Sequence, residues 1–381
     1  MRMVFISGEY PPSVGGVGDY TFHLAHAFAD RGHEVSVVTS PAGANARQAR
    51  RGDRVPVHAT EGWCVGDAVS TARAARALRP DVVNFQYVPQ MYGRAGVAPG
   101  AAMLPLMLRR TCAATVTSTM HEIASPLEAR PRRLGAALAH RVQALLIVPA
   151  SDRVIVTNAV YARRMRRWTR GRRKVWEIPV GASILPVPIS DAEIAALRAS
   201  LGAGALIGEC SPLAVGKRPQ DLIALSAALG PRARLVMLGG LPADAGRKAS
   251  FMRHAEAAGV GERIVWTGPL SPEDLSRHLS ALDVYVHTHA AGASGRSTTL
   301  VSALAHGLPV VAYEGPETTA ALADGGLTLA PRGDAVALTE HVTALLDAPG
   351  TRARAGAEAR ELYARDFAWD IIAHKLEEAV S

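Results

Sequence analysis

The chain has 381 residues, 48% apolar, 5% aromatic and 20% charged, with 42 Lys plus Arg against 34 Asp plus Glu for a formal charge of +8. At roughly 100 to 200 residues per domain this predicts two domains, each able to bury its own core, and so much apolar residue excludes disorder for the bulk of the chain. Glycine without a period of three and heptads that never persist exclude collagen-like and coiled-coil folds.

In chain order, Met3 to Ser7 reads as a strand, Tyr20 to Asp30 as a helix and Glu34 to Thr39 as a strand. Ala68 to Leu78 follows as a helix with apolar residues three or four apart, then Asp81 to Phe85, Ala114 to Thr119 and Arg153 to Thr157 as strands. After the Pro-containing stretch from Ile178 to Ile189 the alternation restarts, with strands at Ala205 to Glu209, Ala233 to Leu238, Arg263 to Thr267, Asp283 to His287 and Pro309 to Ala312. Ala357 to Val380 reads as a helix interrupted near Phe367 to Trp369. Strand and helix in alternation imply parallel sheets covered on both faces. The expected architecture is α/β, two doubly wound Rossmann-like domains facing a central cleft, one over residues 1–183 and the other over 184–365. A C-terminal helix over about 366–381 needs an apolar surface, expected on the first domain.

Cys64, Cys112 and Cys210 lie far apart and form no C-x-x-C, which fits a reducing compartment and supports neither a disulfide framework nor a zinc site. Met1 to Ile6 is too short for a signal h-region, and no run approaches the about 18 apolar residues of a spanning helix. A cytoplasmic protein, with peripheral attachment at the inner membrane face left open, is expected.

Several segments sit where a strand passes into a helix. Gly15-Gly16-Val17-Gly18 follows the first strand, where backbone N–H groups and a helix N-terminus can meet a phosphate; its spacing is not the dinucleotide G-x-G-x-x-G. Gly216-Lys217-Arg218 superficially suggests a P-loop, but Ser211 stands where that motif wants Gly, and Arg218 where it wants Ser or Thr. What remains is a pair of cations at a sheet's carboxyl edge, suited to a diphosphate. Gly292 to Thr299, with Arg296 among small and hydroxyl residues, makes a second anion cradle; capping alone would account for Ser297 or Thr298 but not for the whole string. His121-Glu122 and Glu9-Tyr10 end strands on the edge expected to face the cleft. No nucleophile elbow, H-E-x-x-H or deaminase signature is present.

Charge is distributed unevenly. Residues 1–183 hold 25 Lys plus Arg and 12 Asp plus Glu, a balance of +13, whereas residues 184–381 hold 17 and 22, a balance of −5. Eight cations fall within Arg163 to Lys174, flanked by Trp168 and Trp176, a composition able to meet anionic lipid or nucleic acid. Nucleic acid finds no other support.

Taken together, Glu9-Tyr10-Pro11-Pro12 with Gly15-Gly16, the run from Asp30 to Ser40, His121-Glu122, Ile178 to Ala182, Thr267 to Thr288 and Ala303 to Ala312 resemble the retaining nucleotide-sugar glycosyltransferases of the B-type fold, family 4, over nearly the whole chain. The resemblance implies that Gly15 and Gly16 meet the donor phosphates from one side and Lys217, with Arg218, from the other. It implies further that His121 touches the transferring sugar or its phosphate, that Ser294, Gly295, Ser297, Thr298 and Thr299 cradle sugar and phosphate, and that the segment around Leu270 holds the base. Glu9, Tyr10, Asp19 and the loop expected at Gln86 and Tyr87 fall to the acceptor. Two family carboxylates align with Ser294 and Ser302, and a family arginine with Pro212, so Arg218 or Arg296 is expected to restore the charge.

The implied reaction moves a sugar from a nucleoside diphosphate, UDP being expected, to a small-molecule or glycolipid acceptor with retention and without a metal or other cofactor. His121, Lys217 and Arg296 would carry the chemistry. A Lys217→Ala variant is expected to lose turnover with its fold intact. The missing carboxylates keep two alternatives open: a pseudo-glycosyltransferase with an unusual donor or non-sugar coupling, and a catalytically silent binding or scaffold subunit. Specialised metabolism or glycolipid assembly is the expected setting.

Overall fold

The computed structural model describes residues 1–13, 15–40, 54–125, 127, 130–171, 174–240 and 245–381. The chain forms two compact units, Met1–Gly181 with Trp369–Ser381, and Ala182–Ala368.

In the first unit β1 (Arg2–Ser7), β2 (Glu34–Thr39), β3 (Val57–Ala59), β4 (Val82–Tyr87), β5 (Thr115–Met120), β6 (Arg153–Val156) and β7 (Lys174–Glu177) form one parallel sheet in the order 3-2-1-4-5-6-7. The helices between them are α1 (Gly16–Asp30), α2 (Val65–Ala77), α3 (Pro89–Tyr92), α4 (Pro99–Thr111), α5 (Pro131–Ala150) and α6 (Ala159–Thr169). They cover both faces, which is why β1 is buried from Met3 onward and β4 along its whole length. One core layer gathers Val4, Ile6, Phe85, Leu104, Leu108 and Ile147; the other gathers Met3, Phe5, Tyr10, Tyr20 and Phe28.

The second unit repeats the plan. Strands β8 (Ala205–Cys210), β9 (Ala233–Leu238), β10 (Ile264–Gly268), β11 (Val284–His287), β12 (Val310–Tyr313) and β13 (Thr328–Ala330) run in the order 10-9-8-11-12-13, all parallel. Its helices are α7 (Asp191–Leu201), α8 (Pro219–Leu229), α9 (Ala245–Ala257), α10 (Pro272–Ser280), α11 (Thr298–Ala305), α12 (Ala320–Ala323), α13 (Ala335–Asp347) and α14 (Pro349–Leu362). A π turn at Tyr363–Phe367 and an extended Ala368 interrupt the last helical stretch. The chain then forms α15 (Trp369–Val380), which belongs to the first unit and packs on α1.

The ten strands expected from periodicity are present, with no end displaced by more than two residues. β3, β7 and β13 are additional, each only three or four residues long. The basic run is divided: Arg163 to Arg167 lie on α6, Lys174 opens edge strand β7, and Arg172 and Arg173 lie outside the described residues. Cys64, Cys112 and Cys210 are free thiols. Among the described residues no helix is long and apolar enough to cross a membrane.

Candidate active site

In the second sheet the strand order reverses between β8 and β11, and sheets of this kind take ligands in the crevice beyond the carboxyl ends at such a point. A pocket of about 240 Å³ opens there, lined by Ser211, Lys217, His287, His289, Gly292, Ser294, Arg296, Ser297, Thr298, Thr299 and Glu317 with Ala214 and Val215. A larger hollow of about 360 Å³ lies against α8 and α9, lined by Ile223, Phe251 and Arg247 among others. The smaller one is the better candidate, because charged, hydroxyl and backbone amide groups converge on it from three strand ends.

Lys217 is held from below. Its side chain is 5% exposed and that of Glu209 is fully buried, and the Nζ donates to Glu209 Oε1 at 2.5 Å. The same Nζ reaches the Cys210 carbonyl at 3.3 Å and His287 Nδ1 at 3.4 Å. Burial first, then the Lys217 charge, push His287 well below the ordinary imidazole range, so this ring is neutral and its Nδ1 accepts. Glu209 is completed by the Thr288 amide and hydroxyl, each at 2.8 Å. Gly216, at φ +88°, lets the chain pass beneath the His289 ring where any Cβ would collide with it.

The opposite wall is the 291–299 segment. Ser297 caps α11 by accepting from the Leu300 amide; the first-turn N–H groups have no acceptor within the helix and carry its partial positive charge. Arg296 Nη1 meets Glu317 Oε1 at 3.4 Å. Glu317 is fixed by a close approach of two loops: its amide donates to the Ala291 carbonyl at 3.0 Å, and a Cβ on Gly292 or Gly315 would strike the other loop. Two cations, five hydroxyl residues, a helix start and one carboxylate therefore line one pocket.

Other residues expected at the donor lie elsewhere. Arg218 is turned onto Asp221, Nε to Oδ2 at 2.6 Å, and Asp221 also accepts from Tyr313. Ser302 is fully buried, donating to the Thr298 carbonyl at 2.7 Å and accepting from the Ile184 amide at 3.1 Å, so its hydroxyl braces the start of the unit and does not line the pocket. Gly295 is buried beside the pocket, and Leu270 packs partly buried on the apolar core after β10.

In the first unit the expectations change more. Glu9 Oε1 accepts from the Val17 and Gly18 amides at 3.0 Å each, so the α1 start at Gly15 and Gly16 already holds a carboxylate of its own chain. Tyr10 is fully buried against Phe22, and Asp19 is half-buried in the first turn of α1. Gln86 and Tyr87 are not a loop but the end of β4, 0% and 1% exposed, so neither offers its side chain to an acceptor here. Gln86 instead positions His121, whose Nε2 lies 2.7 Å from Gln86 Oε1. Gln86 Nε2 in turn donates to Asn84 Oδ1 at 2.5 Å, and Asn84 is tied to Thr117 and Thr119. With its amide oriented in this way Gln86 presents an acceptor, so His121 carries its proton on Nε2. The ring also packs near-perpendicular to that of Tyr20, centroids 4.7 Å apart.

Sequence reasoning missed Glu209, His287, His289 and Glu317. Glu209 had a signal, a carboxylate inside an otherwise apolar strand; Glu317 had none, because only the packing of two distant loops brings it to the pocket. Among the described residues no cluster of His, Cys, Asp or Glu is arranged to hold a metal ion.

The Glycosyltransferase Family 4 profile matches residues 14–183 and the Glycosyl transferases group 1 profile matches residues 213–362. A GDP-mannose-dependent monoacylated alpha-(1-6)-phosphatidylinositol monomannoside mannosyltransferase of Corynebacterium glutamicum is 24% identical over 392 residues, 98% of this chain and 96% of that protein. The sucrose-phosphate synthase of Thermosynechococcus elongatus superposes with a TM-score of 0.76 at 19% identity, over 99% of this chain and 97% of that one. HepE of Anabaena, solved in complex with UDP and glucose, gives 0.76 at 17% identity, over 99% and 98%. With one profile on each parallel-sheet unit and B-type neighbours spanning both, the chain belongs to the family 4-like glycosyltransferases of the B-type fold.

Proposed function

We propose that the chain moves a sugar from a nucleoside diphosphate sugar to a hydroxyl of a small-molecule or glycolipid acceptor, with retention of configuration. The observation that carries this reading is the pocket at the β8/β11 reversal, where Lys217, Arg296 and the α11 N-terminus surround a space suited to a diphosphate. The bond from the anomeric carbon to the diphosphate breaks, a bond to the acceptor oxygen forms on the same face, and the acceptor proton passes to the departing phosphate. Arg296 and the α11 amides stabilise the growing phosphate charge, an effect whose loss typically costs about 3–4 kcal/mol. Lys217 contributes by exchanging its longest contact, to His287, for a phosphate oxygen. His121, fixed by Gln86, is assigned by family resemblance to the transferring sugar or its phosphate.

Glu317 is the pocket's carboxylate acceptor and takes the hydroxyl-reading role that resemblance would give to residues replaced here by Ser294 and Ser302. UDP is favoured by the HepE complexes and GDP by the mannosyltransferase relative. Titration calorimetry with UDP, GDP, ADP and dTDP is expected to find one nucleotide binding at micromolar or tighter affinity; binding of none overturns the donor site. For that nucleotide, Glu317→Gln is expected to keep the affinity for the free diphosphate and weaken the nucleotide sugar by about 10- to 100-fold, the effect of losing a hydrogen bond to a charged group. Equal weakening of both would reject the Glu317 assignment alone.

A further inference from the structure

Helix α5 is apolar on two sides. Its inward side buries Ala137, Ala144, Ile147 and Val148. On its outward side Leu134, Leu138, Val142, Leu145 and Leu146 are 37, 51, 56, 57 and 51% exposed. Their spacing of three and four residues places them in one stripe, and α4, packed beside it, adds Leu106 at 37% exposed. A contiguous aliphatic surface of this kind marks an interaction site.

The cations around the stripe say which partner fits. Arg130 and Arg132 stand exposed where α5 begins, and neither α5 nor α6 contains an Asp or Glu. Arg141, midway along α5, donates to the carbonyls of Ser125 and Ala137 at 3.1 and 2.6 Å. Burial, then the charge of Arg164, push its guanidinium below the ordinary range, so the α5 and α6 cations are neighbours. On α6, Arg163, Arg166 and Arg167 are exposed, and Arg164 lies over the Trp168 ring at 4.8 Å. Glu177, at the exposed end of β7, lies within reach of the Arg166 and Arg163 charges, and partial desolvation raises its carboxyl above the ordinary range. An aliphatic stripe bordered by long cationic stems, without an acid on either helix, matches an amphipathic element lying in a lipid interface.

We infer that α5 and α6 dock the first unit onto an anionic membrane surface, the α5 stripe entering the acyl boundary and the arginines meeting the lipid phosphates. The +13 balance of residues 1–183 then has a structural place. α5 supplies the apolar half of a contact of which only the basic half was visible in the sequence.

Co-sedimentation of the full chain with vesicles tests this. Vesicles of phosphatidylglycerol and phosphatidylcholine are expected to retain the protein at least about tenfold better than phosphatidylcholine alone, and less well as salt rises. The surface variant Leu138→Asp/Leu145→Asp is expected to lose about tenfold or more of that binding with an unchanged melting midpoint, and Arg163→Glu/Arg167→Glu to lose it at low salt. No retention on anionic vesicles, equal retention on neutral ones, or full retention by both variants would each overturn the inference. So would a wild-type dimer that the Leu138→Asp/Leu145→Asp variant converts to monomer without any effect on vesicles.

Discussion

A Lys217→Ala variant is expected to lose about 3–5 kcal/mol of stability, a fall of roughly 6–20 °C in the melting midpoint of a unit of this size, as well as its turnover. The cause is Glu209. Its carboxylate is fully buried, and Lys217 is the cation that balances it; the Thr288 amide and hydroxyl satisfy lone pairs but cannot neutralise the charge. Removing the lysine leaves an uncompensated buried anion, the costly way of breaking such a pair. The expectation of an intact fold in this variant is thereby corrected, and its inactivity would not by itself assign Lys217 to the diphosphate. The double variant Glu209→Gln/Lys217→Met removes both charges and is expected to recover most of the lost stability while remaining inactive. Scanning calorimetry with a turnover assay decides the matter: a wild-type melting midpoint in Lys217→Ala refutes the coupling, and activity in the double variant refutes the catalytic role.

The alternation of strands and helices was legible because parallel strands covered on both faces must be apolar along their length, as in β1, β9 and β11. β3 and β13 escaped notice at three residues each, and β7, Lys-Val-Trp-Glu, carries a charge at either end as an edge strand can. In the site, the Gly292 to Thr299 cradle was legible because glycine and hydroxyl residues at a strand-to-helix turn have a local meaning. What was not legible depends on distant parts of the chain meeting. Glu9 looked like a residue facing a ligand, yet it caps a helix beginning seven residues later; Gln86 looked like a loop residue, yet it ends a buried strand and orients His121. Ser302 was identified by alignment with a family carboxylate, and its burial turns it into a brace.

Removing α15 is expected to prevent the first unit from folding. Trp369, Ile372, Ala373, Leu376, Ala379 and Val380 sit in the same core layer as Met3, Phe5, Tyr20 and Phe28. At about 1.5–3 kcal/mol for each fully buried large side chain, the loss reaches the net stability of an ordinary domain, about 5–15 kcal/mol. Chains ending at Ala368 should therefore aggregate or show only the second unit's melting transition. Trp369→Ala alone is expected to cost about 3–5 kcal/mol. It should also reduce turnover, because the Trp369 ring contacts Tyr20 at 5.4 Å and Tyr20 in turn contacts the His121 ring at 4.7 Å. An unchanged melting midpoint in Trp369→Ala would remove α15 from the core account. The helix is additionally latched by charge: Glu377 takes Arg31 Nη2 at 2.5 Å and Nε at 2.9 Å, and it also contacts His33. The Arg31 hydrogen bonds, with His33 adding to them, hold the Glu377 carboxyl below the ordinary 4.5, at about 2. A carboxyl with its folded pKa depressed binds fewer protons in the folded state, so its stabilisation is complete above 4.5 and declines as pH falls toward 2. Glu377→Gln should flatten the acid limb of the first unit's melting profile over that interval and leave the neutral limb parallel to wild type; an acid limb as steep as wild type would show that the latch does not contribute.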